Sequence, residues 1–269
     1  MSIIKNDFEK MNITKIKNSK NNKKLTMITA YDALFAKLFE EIADMILVGD
    51  SLNMSFAGKP DTLSATLEQM IYHTNAVCSG AKSAFVITDM PFGTYINKNQ
   101  ALENAIKVYQ ETNAAAIKIE GGEDRADIIK HLTSNSIAVM GHIGLMPQYV
   151  RSEGGYKVRG KTPQDEEQLI RDAIAVEKAG AFSIVVEGVM SSVAKKITEA
   201  VNIPIIGIGA GNVTDGQVLV WSDMLGFFEE FKPKFVRHYL NGAELVKEAV
   251  NQYRNDVQDS SFPSKEEEY

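Results

Sequence analysis

Short, almost continuously apolar runs alternate with longer amphipathic segments along most of the chain, and this alternation is the strongest constraint on the fold. Strands that are apolar on both faces are typical of a parallel sheet covered by helices. Eight alternating pairs favour a single (β/α)8 TIM-type barrel, with a doubly wound open sheet as the other candidate. The strands are predicted near residues 26–30, 44–50, 84–89, 115–120, 137–142, 183–187, 203–209 and 218–223.

The segments between these runs have the periodicity of helices, for example at residues 65–81, 99–112 and 163–180. Two of them begin with recognisable start signals. Thr66 followed by Gln69 predicts a capping box, and Thr162 before Pro163 predicts an N-cap followed by proline at the first helical position.

Barrels of this kind commonly contain about 250 residues in one domain, which suits a chain of 269 residues. We therefore expect a barrel domain over 26–256. Residues 1–25 are expected to form an N-terminal segment, with a short helix within 9–22 that covers one mouth of the barrel. The acidic tail at 257–269 is polar and interrupted by proline, so we expect it to be flexible.

A net charge of −6 argues against nucleic acid or an anionic membrane as a partner. Cys78 is the only cysteine, which excludes an intrachain disulfide and a cysteine-rich metal site. The N-terminal sequence lacks the apolar core of a signal peptide, and no apolar run approaches the roughly 20 residues that cross a bilayer. The sequence therefore predicts a cytoplasmic location.

Five polar residues close predicted strands on their carboxyl side: Asp50, Asp89, Glu120, His142 and Glu187. In a barrel those ends converge on one face, where active sites lie. A single aspartate at such a position is more often a turn or helix-capping residue. Four carboxylates at one mouth, however, repel one another strongly unless a cation or protons offset their charge.

Oxygen ligands without cysteine favour a hard cation, and Mg²⁺ is usually held by one or two carboxylates with waters and substrate oxygens. Asp50 and Asp89 are therefore candidate direct metal ligands. Glu120 is then either a third ligand or the partner of a bound water.

Lys118 and Glu120 are two residues apart, so on a strand they point to the same side. Lys118 either forms an ion pair there or binds the carboxylate of a substrate, and the charges alone favour neither. Glu187 is a candidate general base, with a helix-capping role as its structural alternative. His142 could orient a substrate oxygen, although a lone histidine is more often simply hydrogen-bonded.

Two predicted βα loops are long, at 51–65 and 143–162, and such loops are often lids or binding loops. The glycine-rich stretch IGIGAGN does not match the GxGxxG nucleotide fingerprint, because Asn212 stands where the third glycine is required. It also follows the seventh strand rather than the first, so a Rossmann site is rejected.

The motifs TAYDA, VGDSLNM, EQMIYHT, TDMPFGTY, AIKIEGG, GHIGLMPQ, GGYKVRG and IPIIGIGAGNVTDGQVLV run in this order from about residue 26 to 225. This series resembles the ketopantoate hydroxymethyltransferase family. The resemblance implies transfer of a hydroxymethyl group from methylene-tetrahydrofolate to 3-methyl-2-oxobutanoate (α-ketoisovalerate). The product would be ketopantoate for pantothenate synthesis, formed through a magnesium-stabilised enolate. A homo-oligomer, usually a decamer, is also implied.

Matched motif by motif, the resemblance makes Asp50, Asp89 and Glu120 the metal site. Asp50 and Ser51 of VGDS contact the metal and the keto acid, and Lys118 of IKIEGG meets the substrate. Asp89 would also lie against the substrate, because both keto-acid oxygens are expected on the ion.

Glu187 matches the proton acceptor of the family. The sequence departs from the family pattern at three positions that border the mouth of the barrel, which bears on the shape of the pocket. Asn53 replaces the glycine of VGDSLGM, Gly93 stands where a larger residue is common, and Gly188 follows Glu187 where other members differ.

Two rival functions fit a barrel that binds a 2-oxo acid. One is a lyase or mutase of the phosphoenolpyruvate type, which typically presents a loop cysteine as an acid, whereas Cys78 falls in a predicted helix. The other is a non-catalytic sensor, which could keep the aspartates but would not need Glu187. Turnover with and without methylene-tetrahydrofolate separates the three.

Overall fold

The computed structural model describes residues 10–228 and 232–269. The chain divides into two compact units, Met1–Val220 and Trp221–Tyr269. In the described part of the first unit, eight parallel strands pair in chain order, and β8 pairs with β1 to close the barrel. This closure confirms the predicted (β/α)8 barrel and excludes the open sheet.

The strands are β1 (Leu25–Thr29), β2 (Met45–Val48), β3 (Phe85–Asp89), β4 (Ala116–Glu120), β5 (Val139–Gly144), β6 (Ser183–Glu187), β7 (Ile205–Ile208) and β8 (Gly216–Leu219). Seven of them overlap the predicted runs closely. The prediction for the last run, 218–223, is wrong in its second half. Only 218 and 219 belong to β8, and a helical turn begins at Trp221, whose carbonyl accepts a hydrogen bond from Leu225 N at 2.9 Å.

The helices of the first unit are α1 (Ile13–Asn18), α2 (Ala33–Phe39), α3 (Leu52–Ser55), α4 (Leu67–Gly80), α5 (Lys98–Glu111), α6 (Ala126–Ser134), α7 (Pro163–Lys178) and α8 (Ser191–Ala200). The capping box of α4 is present: Gln69 N donates to Thr66 Oγ1 at 3.2 Å, and Thr66 N donates to Gln69 Oε1 at 2.8 Å. Thr162 caps α7 through a single hydrogen bond, which its side chain accepts from Asp165 N.

The apolar core has two layers because successive strand residues point to opposite faces. One cluster lies inside the barrel and includes Met45, Phe85 and Phe182. The other fills the space between the strands and the surrounding helices and includes Ile117 and Ile184. Burial on both faces explains why the strands are apolar almost throughout.

Helix α1 covers the amino-terminal mouth of the barrel. Its Ile16 is fully buried and belongs to the inner cluster. Ser19 at the end of the helix is also buried, and Lys20 just beyond it forms an ion pair with Asp215 at 2.8 Å. Residues 1–9 of the predicted N-terminal segment lie outside the described residues.

In the part of the second unit that the structure describes, the helices are α9 (Trp221–Met224) and α10 (Gly242–Gln258). After α10, Ser261 N donates to Asp256 O at 2.8 Å. The predicted domain boundaries after residues 25 and 256, and the predicted flexibility of the tail, stay predictions. Within residues 10–228 and 232–269, no helix has both the length and the apolar character needed to cross a membrane.

Candidate active site

The barrel brings the predicted polar residues together at the carboxyl ends of β2 to β6. Strand register places Lys118 directly beside Asp89, and His142 directly beside Glu120. Glu187 pairs with Gly144, two residues beyond the partner of Glu120. Residues that are far apart in the sequence thereby share one face of the barrel.

Strand alternation explains which side chains point inward. Lys118 and Glu120 follow Ala116 on the inner face of β4, whereas Ile117 and Ile119 belong to the outer cluster. The predicted common orientation of the lysine and the glutamate is therefore observed. A lysine and a carboxylate are in this way held within an otherwise apolar barrel.

Lys118 lies at the centre of the site and is only 4% exposed. Its Nζ is 2.9 Å from Asp89 Oδ1 and 3.2 Å from His142 Nδ1. Asp89 Oδ2 in turn accepts a hydrogen bond from Asp50 N at 3.0 Å, which connects β3 to the end of β2. The sequence left two possible roles for Lys118, an ion pair or binding of the substrate carboxylate. The ion pair is present, with Asp89 as its partner.

His142 connects the two glutamates of the site. Its Nδ1 lies 3.4 Å from Glu120 Oε1, and its Nε2 lies 3.3 Å from Glu187 Oε2. The side chain of Glu187 is 20% exposed, whereas that of Glu120 is 1% exposed. Glu187 is therefore the glutamate of this pair that a molecule in the mouth can reach.

The turn after β2 places Asp50 and Ser51 next to the other acidic groups. A Cβ on Gly49 would lie 2.8 Å from Ser51 Oγ, so the glycine leaves room for the serine hydroxyl. Ser51 Oγ is hydrogen-bonded to the hydroxyl of Tyr31 at 2.9 Å. Tyr31 belongs to the TAYDA motif but was not among the predicted site residues.

Burial and mutual repulsion shift the pKa values of the site. Burial raises the pKa of Asp50 well above its usual range, and the charges of Asp89 and Glu120 raise it further. Burial also raises the pKa of Asp89, although Lys118 opposes this. Full ionisation of these acidic groups would therefore require positive charge beyond that of Lys118, such as a bound cation.

The two cationic groups respond in the opposite direction. Burial lowers the pKa of Lys118, but the carboxylates of Asp89 and Glu120 outweigh it and hold the pKa above the usual value. Burial and Lys118 lower the pKa of His142, while hydrogen bonds to Glu120 and Glu187 raise it to about 9. The buried carboxylates thus hold Lys118 in its charged form.

Two further buried residues that the sequence analysis missed take part in the site. Gln148 is 4% exposed, and its Nε2 donates to Asp50 Oδ2 at 2.8 Å. Its backbone N–H donates to Glu120 Oε2 at 3.0 Å, and its Oε1 accepts a hydrogen bond from Tyr95. Gln148 belongs to the GHIGLMPQ motif, and this motif was the only feature of the sequence that could have identified Gln148 as a site residue.

Two loops border the mouth of the barrel. Asn53, buried in the short helix α3 of the connection after β2, donates from Nδ2 to Asp61 O at 2.7 Å and to Ser64 Oγ at 2.9 Å. Arg151, in the loop after β5, donates to Asp61 Oδ2 from Nη2 at 2.9 Å. The two predicted long loops are therefore tied to each other through Asp61.

Gly93 and Gly188, the other two departures from the family pattern, both have positive φ angles, of 82° and 57°. A Cβ at Gly188 would lie 2.9 Å from Leu145 Cβ, so this position combines a left-handed backbone with close packing. Glycine is thus required by the local structure immediately after Glu187.

The acidic cluster suits a hard divalent cation. Asp89 Oδ1 is buried and accepts no hydrogen bond of normal geometry, although Lys118 lies within ion-pair distance. Among the residues that the structure describes, no three His, Cys, Asp or Glu side chains are arranged as a complete metal-binding group. An ion bound here would draw its remaining ligands from water or substrate, as Mg²⁺ usually does.

Comparison with known proteins gives a consistent picture. The chain is 90% identical to the 3-methyl-2-oxobutanoate hydroxymethyltransferase of Aliarcobacter butzleri (strain RM4018), over the full length of both. It is 66% identical to the protein of the same name from a Nitratiruptor species, covering 96% of this chain and 98% of the relative.

The fold is also found in a solved structure of phosphonopyruvate hydrolase in complex with oxalate and Mg²⁺, with a TM-score of 0.62 at 13% identity, covering 96% of this chain and 93% of that one. At this identity the likeness concerns the fold alone.

The model of the family described as ketopantoate hydroxymethyltransferase matches residues 10–265. The chain therefore belongs to the ketopantoate hydroxymethyltransferase family.

Proposed function

We propose that this protein transfers a hydroxymethyl group from methylene-tetrahydrofolate to 3-methyl-2-oxobutanoate, giving ketopantoate for pantothenate biosynthesis. Family membership and the names of its relatives support this reaction. The observation that carries the proposal is the connected set at the strand ends. There Lys118 contacts Asp89 and His142, and His142 contacts Glu187.

We further propose that the site holds Mg²⁺ through Asp50 and Asp89, with Glu120 as a third ligand or as the partner of a bound water. The burial of three carboxylates around the single ammonium of Lys118 supports this ligand set. A solved protein of the same fold is described in complex with oxalate and Mg²⁺. When bound, such an ion polarises the carbonyl and stabilises negative charge that develops on its oxygen.

Lys118 and Ser51 bind the carboxylate of the oxo acid in this proposal. Lys118 supplies a fixed positive charge, because the neighbouring carboxylates keep it protonated. The Tyr31 hydroxyl holds Ser51 Oγ in place at 2.9 Å. Lys118 and Ser51 would together orient the oxo acid so that its C3–H faces Glu187.

Glu187 acts as the general base that removes the C3 proton. Its partial exposure at the mouth and its contact with His142 Nε2 support this role. His142 is the secondary residue: it orients the Glu187 carboxylate and can donate to a substrate oxygen. The methylene carbon of the folate gains a bond to the carbon nucleophile formed by proton removal and a hydroxyl group from water, while its bonds to N5 and N10 break. The C3 proton and the second proton of the water go to the two nitrogens, and tetrahydrofolate is released.

The test is ketopantoate formation from 3-methyl-2-oxobutanoate by the purified protein, with and without methylene-tetrahydrofolate and with Mg²⁺ or EDTA. Product is expected only when the oxo acid, the folate and the metal are all present. Cleavage of a 2-oxo acid without folate would instead favour a lyase, although Cys78 lies within helix α4 rather than in a loop. Oxo-acid binding without any turnover would favour a sensor.

The expected partners are the small oxo acid and folate substrates. The homo-oligomer, a decamer by family resemblance, stays a prediction. The cytoplasmic location and the absence of nucleic-acid and membrane partners are likewise predictions, in keeping with the biosynthetic role proposed here.

A further inference from the structure

Gln148 is a buried residue whose amide hydrogen-bonds to a carboxylate of the acidic site and to two groups beside it. It lies in a single 3₁₀ turn, Pro147–Tyr149, after β5. Its Nε2 donates to Asp50 Oδ2 at 2.8 Å and to Met90 O at 3.0 Å. The proposed reaction gives this residue no direct role, so its set of contacts requires another explanation.

The surroundings allow only one orientation of the amide. A carboxylate and a backbone carbonyl can only accept, so both N–H bonds of Gln148 are used by Asp50 and Met90. The amide oxygen must then face Tyr95, whose hydroxyl donates to it. Burial raises the pKa of Tyr95 well above its usual value, so the phenol keeps the proton that it donates.

The same residue also holds the second glutamate of the site. Gln148 N donates to Glu120 Oε2 at 3.0 Å. One oxygen of Asp50 and one oxygen of Glu120, from the ends of different strands, are thus fixed by a single loop residue. Asp50, held through Oδ2, presents Oδ1 to an ion in a defined direction, whereas the second oxygen of Glu120 faces His142 Nδ1 at 3.4 Å.

We infer that Gln148 is the positioning residue of the ion site, with Tyr95 fixing the orientation of its amide. The inference rests on the proposed function, since it takes the acidic cluster to be the Mg²⁺ site. Without the amide, Asp50 would be free to rotate away from Asp89 and Glu120, which repel it. Loss of such an outer partner typically weakens metal affinity by about 10–100-fold.

The experiment measures Mn²⁺ binding to the full chain by electron paramagnetic resonance, without substrate, so that it does not depend on activity. Gln148→Met keeps the volume of the side chain but removes its hydrogen bonds, while the backbone contact to Glu120 stays. We expect its Mn²⁺ dissociation constant to rise by about 10–100-fold. Tyr95→Phe should raise the constant by roughly fivefold, since one hydrogen bond that orients the amide is lost.

Gln252→Met is the matched control. Gln252 also donates its amide to an aspartate, Asp256 Oδ1 at 2.7 Å, but on the exposed helix α10. Its Mn²⁺ affinity should equal that of the wild type. With saturating metal, kcat of Gln148→Met should recover to within roughly threefold of the wild type, whereas a general packing defect would not be relieved by metal.

Wild-type binding of Mn²⁺ together with unchanged affinity in Gln148→Met and Tyr95→Phe would overturn the inference and leave the proposed function intact. Absence of Mn²⁺ binding in the wild type would overturn both. If Gln148→Met does not fold, Gln148→Asn takes its place, because its amide is one methylene shorter and loses the 2.8 Å contact to Asp50. Unchanged Mn²⁺ affinity in Gln148→Asn would overturn the inference.

Discussion

Replacing Glu187 by glutamine keeps the shape of the side chain and its neighbour His142, 3.3 Å away, but removes the group that would accept the C3 proton. The other carboxylates are poor substitutes because each is already engaged. Asp89 faces Lys118, Asp50 accepts from the Gln148 amide, and Gln148 N–H holds the remaining glutamate. We therefore expect proton removal to depend on Glu187.

The size of the effect follows from this arrangement. A positioned general base contributes about 10²–10⁴-fold to a rate, and the lack of a replacement favours the upper part of that range. Such a decrease corresponds to about 2.7–5.4 kcal/mol of activation free energy. Binding should change little, because Ser51, Lys118 and the ion, rather than Glu187, hold the oxo acid in the proposed site.

The assay is exchange of the C3 proton of 3-methyl-2-oxobutanoate with deuterated solvent, followed by NMR with Mg²⁺ and without folate. Leaving out folate isolates proton removal from the later steps. The dissociation constant of the oxo acid, measured by calorimetry, is the control and should stay within roughly threefold of the wild type. Exchange by Glu187→Gln at the wild-type rate would refute the assignment of the base.

Three other substitutions test the surroundings of the site. Lys118→Met leaves Asp89 without its buried partner and should lower the metal-free unfolding free energy by about 3–5 kcal/mol, so an unchanged urea midpoint would contradict the ion pair. Burial raises the pKa of Asp165, but Arg159 outweighs it and the net pKa is lowered. The stability that this pair contributes is therefore present above the unfolded pKa of about 3.9 and is lost as the pH falls through the lower folded value. Asp165→Asn should accordingly be about 1 kcal/mol less stable than the wild type at pH 7, with the difference shrinking as the pH falls below 4, and a difference independent of pH would contradict this linkage. Asn53→Gly, which restores the usual family residue, removes two part-buried hydrogen bonds of a buried side chain and should cost about 2–3 kcal/mol. Faster thermolysin cleavage between residues 56 and 64 would report the loosening of this segment. Cleavage at the wild-type rate would show that Asn53 does not anchor it.

The parts of this fold that depend on local pattern could be read from the sequence. On β4, Lys118 and Glu120 follow the alternation of strand residues, so their shared inward direction required only the strand to be recognised. The caps at Thr66 and Thr162 depend on residues three positions apart and were equally accessible. The family resemblance then supplied the reaction, which no local pattern specifies.

Contacts that depend on how loops fold could not be predicted. Gln148 meets Asp50 across 98 residues of sequence, and its orientation depends on Tyr95 and Met90 from a third segment. The error at the end of β8 has a local cause. The apolar run in the sequence continues to Trp221. The strand itself begins earlier, at Gly216 and Gln217, which are not large apolar residues and so did not mark its start.

The proposed ion site can be tested most directly by diffraction from crystals grown with Mn²⁺ and 3-methyl-2-oxobutanoate, using the anomalous signal of manganese. We expect one strong peak in each chain at the carboxyl mouth of the barrel, about 2.0–2.3 Å from oxygens of both Asp50 and Asp89. The keto and carboxylate oxygens of the oxo acid should lie on the same ion. A fully bound oxo acid with no manganese between these two aspartates would contradict the ligand set and the reaction built on it.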